Sequence, residues 1–159
     1  MKISGTYHIE AEPSRVYALL QDPEVLAQCM PGTDRLVKTG ENEYEMRMKL
    51  LIASVSGLFE GKVRLLDHEP PHRFRMQVEG TGKIGFLKGE GAIVLKPSGS
   101  GTEVSYEGDV TLGGTIAAVG SRLIDTTSRM ILKRFFEKLN TIAKQQVSSA
   151  TAGASTKPT

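Results

Sequence analysis

The period of the apolar residues changes once along this chain, and that change constrains the fold more than any other feature. From Glu43 to Leu112 the apolar residues recur every second position. Tyr44, Met46, Met48, Leu50 and Ile52 share one strand face, while Glu43, Glu45, Arg47 and Lys49 take the other. The alternation returns at Phe59-Val63-Leu65, at Phe74-Met76-Val78 and at Val104-Tyr106-Val110-Leu112. After Gly113-Gly114 the spacing becomes three and four, through Ile116, Gly120, Leu123, Thr127, Ile131, Phe135, Leu139 and Ile142, the stripe of one amphipathic helix. Half-buried strands followed by such a helix predict an α+β fold, a curved antiparallel sheet of six or seven strands closed over a helix covering most of 115–144. A sheet of that shape can enclose a cavity, so ligand carriage is the first function to consider.

The remaining elements follow from local signals. Residues 2–10 read as a strand, Pro13 opens a short helix through Leu20, and Asp22 caps a second one near 23–29. Met30-Pro31-Gly32 ends it before a strand near Arg35-Leu36-Val37, and Thr39 to Asn42 turn into the next strand. Further strands are expected near 55–66, 72–80, 90–96 and 103–112, with Gly80 to Gly89 as a glycine-rich hairpin loop. Residues 1–145 are expected to form a single domain, and 146–159 a disordered polar tail without bulky residues after Val147.

Composition narrows the function classes. Among 159 residues, 20 basic and 18 acidic side chains leave a net charge of +2, with the signs interspersed. No basic stripe is present and Trp is absent, which argues against nucleic acid as a partner. Cys29 is the only cysteine, so no internal disulfide framework exists, and a reducing compartment is the expectation. The N-terminus enters a strand pattern without an apolar signal core, and no run reaches the ~20 apolar residues that span a bilayer. A cytoplasmic protein is expected, with peripheral contact at the inner membrane face as an extension of that reading.

The chemistry-bearing residues are few. Gly80, Gly82 and Gly85 fit G-x-G-x-x-G, but no strand-to-helix turn follows, so a glycine hairpin is the better reading than a dinucleotide site. Cys29 lacks an evident base among His8, His68 and His72, and no cluster has metal-ligand spacing. His68 falls in a proline-flanked turn. The carboxylates fall on polar strand faces rather than converging. Arg122 stands beside the helix stripe, where its stem could pass the sheet edge or its head could reach a ligand. The inner faces are rich in methionine (Met46, Met48, Met76, with Met30 and Met130 nearby) and in glycine (Gly57, Gly61, Gly91, Gly108). Methionine adapts to irregular ligands or fills a core, and these glycines leave room or mark bulges. Phe86 and Leu87, between Lys83 and Lys88, are expected at the tip of a flexible loop, either folded inward as a lid or docking outward.

The order of strand, two short helices, six strands and a long helix carries a set of matching residues from 22 to 136. They include Asp22-Pro23-Glu24-Val25-Leu26, Cys29-Met30-Pro31-Gly32, Phe59-Glu60-Gly61, Gly80-Thr81-Gly82, Gly113-Gly114, Gly120-Ser121-Arg122 and Phe135-Phe136. With these the chain resembles the family of carbon monoxide dehydrogenase G-subunits, within the START-like helix-grip superfamily. The resemblance implies an apolar cavity, no metal or covalent cofactor, and an accessory role beside a molybdenum-containing carbon monoxide dehydrogenase or related hydroxylase. It also implies handling of a quinone- or lipid-like molecule and contact with the membrane. The function expected is therefore a non-catalytic carrier of a hydrophobic small molecule. The alternatives are an assembly or membrane-recruitment factor for that enzyme and a cyclase- or hydrolase-type enzyme using the same cavity. The candidate ligand-binding residues are Met46, Met48, Phe59, Phe74, Met76, Phe86, Tyr106, Val119, Leu123 and Thr127.

Overall fold

A computed structural model describes residues 1–52 and 54–156, with side chains to residue 145. Seven strands form one antiparallel sheet: β1 (Lys2–Ile9), β2 (Thr33–Gly40), β3 (Glu43–Ile52), β4 (Val55–Glu69), β5 (Arg73–Gly82), β6 (Gly85–Ser98) and β7 (Gly101–Gly113). Their order is β1-β7-β6-β5-β4-β3-β2, a meander from β2 to β7 with β1 added beside β7. Between β1 and β2 the chain forms α1 (Pro13–Leu20) and α2 (Pro23–Cys29), and the long helix α3 (Ser121–Thr156) follows β7.

Each element has a local cause. Along β3 exposed and buried positions alternate, with Tyr44, Met46, Met48, Leu50 and Ile52 buried. Pro13 and Pro23 begin the two short helices, where a missing N–H costs nothing. The Asp22 carboxylate accepts the Glu24 N–H at 2.9 Å and caps α2. Asn42 takes a positive φ of 59° at the β2–β3 turn, as asparagine does with little strain.

The sheet curves where glycines face each other on its concave side. Gly61 pairs with Gly80, and Gly91 with Gly108. A Cβ at Gly61 would collide with the Glu79 carbonyl, and one at Gly91 would lie 2.7 Å from the Glu107 carbonyl oxygen. Neighbouring backbones approach too closely there for any side chain. Glycine at these pairs therefore bends the sheet.

Helix α3 is fixed most densely from Phe135 to Ala143. Phe135, Phe136, Leu139, Ile142 and Ala143 are buried, each large one contributing ~1.5–3 kcal/mol. Phe136 stacks on Tyr7 at 4.6 Å and on Tyr106 at 5.7 Å between ring centroids. Asn140 Oδ1 accepts the Glu10 N–H at 2.8 Å, and the fully buried Thr102 hydroxyl donates to the Ala11 carbonyl at 2.6 Å. The helix meets the sheet at β1 and β3 and rests on α1 and α2. Before Phe135 the anchoring is sparser: Ile124 is buried, while Thr127, Ser128, Ile131 and Leu132 are only partly buried.

Three boundaries differ from the sequence reading. The helix does not run unbroken from 115: Thr115–Val119 form a 3-10 turn, Gly120 takes φ 99°, and α3 begins at Ser121. It also continues beyond the expected end near 144, to Thr156, while residues 157–159 of the expected tail lie outside the described residues. Finally, Gly80 to Gly89 is not a loop. β5 runs to Gly82 and β6 starts at Gly85, with Gly82 paired to Gly85 around a two-residue turn of Lys83 and Ile84.

Candidate functional site

Beneath α3, from Thr127 to Phe136, lies a cavity of about 300 Å³. The strand alternation builds its floor. Met46, Met48 and Leu50 come from β3, Phe74, Met76 and Val78 from β5, and Leu87 and Ile93 from β6. Tyr106, Val110 and Leu112 extend it across β7, and Ile3 across β1. Ile131, Leu132, Phe135 and Phe136 form the roof on α3, while Leu20, Leu26 and Met30 close the side from the short helices.

The volume has a specific origin in the register. Val78 faces Gly89 and Met76 faces Gly91, which in turn faces Gly108, so the floor under α3 is bare backbone across two strands. These glycines both bend the sheet and empty the space above it. Of the two roles left open by the sequence, Gly91 and Gly108 take the first and leave room on the floor, while the ladders run without a register shift through Gly57, Gly61, Gly91 and Gly108, so none of them marks a bulge.

The lining carries almost no charge. Glu90 and Glu107 reach the wall only from strand positions that alternate with Gly89, Gly91, Tyr106 and Gly108, and both are exposed. The polar side chains on the wall are the hydroxyls of Thr33, Thr127, Ser128 and Tyr106. Burial raises the Tyr106 phenol above its usual pKa, Tyr7 adds to the rise, and Arg129 opposes it. A neutral phenol therefore faces this site at physiological pH.

Of the ten candidate residues, Met46, Met48, Phe74, Met76, Tyr106 and Thr127 come together on the wall. The other four do not. Phe59 is fully buried in the core instead of facing the space. Val119 belongs to the 3-10 turn, because the helix starts only after Gly120. Leu123 is 44% exposed, since the buried stripe of α3 passes through Ile124 and Ser128 rather than Leu123. Phe86 is 45% exposed. It lies opposite Thr81 and Gly113 on the outer face and covers Gly113, so it is not an inward lid. The inward apolar residues of this hairpin are Ile84, which packs over Gly57, and Leu87, which lines the cavity. Missed by sequence reasoning were Ser128 and Leu132, each one position beyond the apolar stripe, and Gly89, whose place opposite Val78 depends on register.

The reactive candidates lie away from the cavity. Cys29 is buried, and burial pushes its thiol up to about 11, with Lys138 pulling weakly the other way. A thiol in that state is a poor nucleophile. Arg122, His8 and His72 are exposed. His68 is more than a turn residue, because its Nδ1 lies 2.9 Å from the Tyr17 hydroxyl. Its Nε2 is buried without a partner among the described residues. Such a His–Tyr pair is a feature an enzyme would use, yet neither residue reaches the wall: both rings pack on Phe74, which does. Among the described residues no group of three His, Cys, Asp or Glu side chains is placed to hold a metal, and no helix is long and apolar enough to cross a membrane.

Comparison with known proteins sets this geometry in a family. A family model described as the carbon monoxide dehydrogenase G-subunit (CoxG) matches residues 5–144. A crystal structure of a conserved protein from Geobacillus kaustophilus is similar over 91% of this chain and 96% of its own, at 27% identity and a TM-score of 0.87. A START superfamily protein from Mycobacterium smegmatis aligns over 91% and 98%, at 16% identity and a TM-score of 0.66. The di-domain ARO/CYC protein BexL aligns over 90% of this chain and 50% of its own, at 16% identity and a TM-score of 0.62. The last two share the fold. No match was found among curated protein sequences.

Proposed function

Because the chain belongs to the family of carbon monoxide dehydrogenase G-subunits (CoxG), we propose that it is a non-catalytic carrier of a hydrophobic, quinone- or lipid-like molecule, accessory to a molybdenum-containing hydroxylase. The observation that carries this reading is the largely apolar cavity of about 300 Å³ between the sheet and α3. That volume lies at the lower end of the ~300–1,000 Å³ usual for small-molecule sites. Transfer into it removes apolar ligand surface from water, at ~25 cal/mol per Å². Methionines at positions 46, 48 and 76 let the wall adapt to an irregular shape. Because α3 is anchored most densely from Phe135 to Ala143, with Ile124 the one buried side chain before them, its first turns are the wall that can move for entry and release. The test is native mass spectrometry of the purified protein with analysis of its organic extract. A bound apolar molecule is expected, and its loss in Met76→Trp. A protein that is empty and takes up no added apolar molecule would end the reading.

Two observations favour other readings. The Tyr17–His68 pair favours a cyclase- or hydrolase-type enzyme. A turnover assay with aryl esters or polyketide thioesters, comparing the protein with His68→Gln, separates that reading from carriage. The exposed Phe86 beside Lys88 favours a recruitment surface for the enzyme or the membrane, for which Phe86→Asp with ligand binding intact is the discriminating variant.

A further inference from the structure

The cavity wall also discriminates by charge. No Lys, Arg or His side chain lines it, and its two carboxylates are exposed strand residues. An anionic head group taken inside would lose its hydration without gaining a cation, a penalty large enough to exclude it or force its protonation. What the wall offers instead are hydroxyls: those of Thr33 and Tyr106 on the sheet, and an adjacent pair on the first turns of α3, Thr127 and Ser128. Elsewhere on this helix hydroxyls turn back onto the backbone: Thr126 donates to the Arg122 carbonyl at 3.0 Å and Thr141 to the Glu137 carbonyl at 3.1 Å. Among the described residues Thr127 and Ser128 make no such bond. Both residues are half-buried and line the wall together with Ile131 and Tyr106, and their hydroxyls keep some access to solvent, so a ligand's polar group can take the place of water there. A hydroxyl both donates and accepts, so this pair suits either a carbonyl or an alcohol.

We infer that the cavity selects a neutral molecule with an apolar body and one hydroxyl or carbonyl group, and that Thr127 and Ser128 bind that polar group. This deepens the carrier reading and rests on it. The ionised forms of fatty acids and acidic phospholipids are excluded from the interior by the same wall.

The test uses diphenylhexatriene, which has no polar atom, as the fluorescent reporter, and 1-decanol and decanoate at pH 8 as competitors of equal chain length. Displacement by 1-decanol is expected at concentrations at least tenfold below those of decanoate. In Thr127→Val with Ser128→Ala, the ratio of decanol affinity to diphenylhexatriene affinity is expected to fall fivefold or more. Circular dichroism confirms the fold, and Ser128→Ala alone, which adds a better helix former, should show part of the effect. Equal displacement by decanoate, or an unchanged affinity ratio in the double variant, overturns the inference while leaving the carrier reading intact. If the reporter does not bind and neither competitor stabilises the protein, both fall together.

Discussion

Gly89 and Gly91 stand two positions apart on the same strand face, yet they make opposite demands. A Cβ at Gly89 would meet the Asp109 carbonyl oxygen at 3.5 Å and Val110 Cγ2 at 3.6 Å, ordinary contacts that leave room for a side chain rising into the cavity. A Cβ at Gly91 would meet backbone at 2.7 Å. Gly89→Val should therefore fill the floor and weaken ligand binding tenfold or more with the fold retained. Gly91→Ala should cost ~1–3 kcal/mol, since a strand backbone has to shift. Binding assays and urea midpoints on the two variants check this, and equal loss of stability in both would contradict it. Cys29 gives a second prediction at this scale. With its thiol pushed up to about 11 by burial, alkylation by iodoacetamide at pH 8 should be slow in the folded protein and fast in urea, as read by intact mass. These residues were not equally legible. Alternation placed Met46, Met48, Phe74, Met76 and Tyr106 on the wall, and the helical stripe placed Thr127 there, because a face follows from sequence alone. The role of Gly89 could not be read, because it depends on which residue lies across from it.

Among the elements, the two short helices and the succession of strands were legible, because Pro13, Asp22, Pro23 and the two-residue period act locally. The start of the long helix was not. Periodicity cannot reveal that Gly120 adopts φ 99°, and a stripe carried through Ile116 and Gly120 selects Leu123 where Ile124 is the buried residue. The glycine-rich hairpin misled for a related reason: glycine frees the chain in a loop, but here Gly82 and Gly85 pair within the ladder. Helix entry can be tested directly. Around Gly120 nothing lies within 4 Å of an added Cβ, so Gly120→Ala meets only backbone strain, expected at ~1–2 kcal/mol. Gly114 has φ 80°, and its Cβ would approach the Gly85 Cα at 2.7 Å. Gly114→Ala should therefore destabilise more than Gly120→Ala, and a reversed order in denaturant midpoints would show that the entry to α3 is not held as described.

On the scale of the whole molecule, a sheet bent by paired glycines and a helix pinned most densely from Phe135 to Ala143 leave about 300 Å³ unfilled. Empty space of that kind forgoes contacts that a packed interior would make, so the ligand-free protein holds a reserve of stability that a ligand can supply. At a free concentration one hundred times its dissociation constant, a ligand of the native state alone stabilises by ~2.7 kcal/mol. For a protein of this size each 1 kcal/mol raises Tm by roughly 2–4 °C, so loading should raise Tm by about 5–10 °C. Calorimetry of the protein as purified, after extraction of its apolar contents and after reloading with the extract, measures the three states. Extraction is expected to lower Tm and reloading to restore it, while Gly89→Val, which fills the same space with its own side chain, should respond much less to either. A Tm that is the same in all three states, from a protein whose extract does contain an apolar molecule, would place that molecule on the surface and not between the sheet and α3.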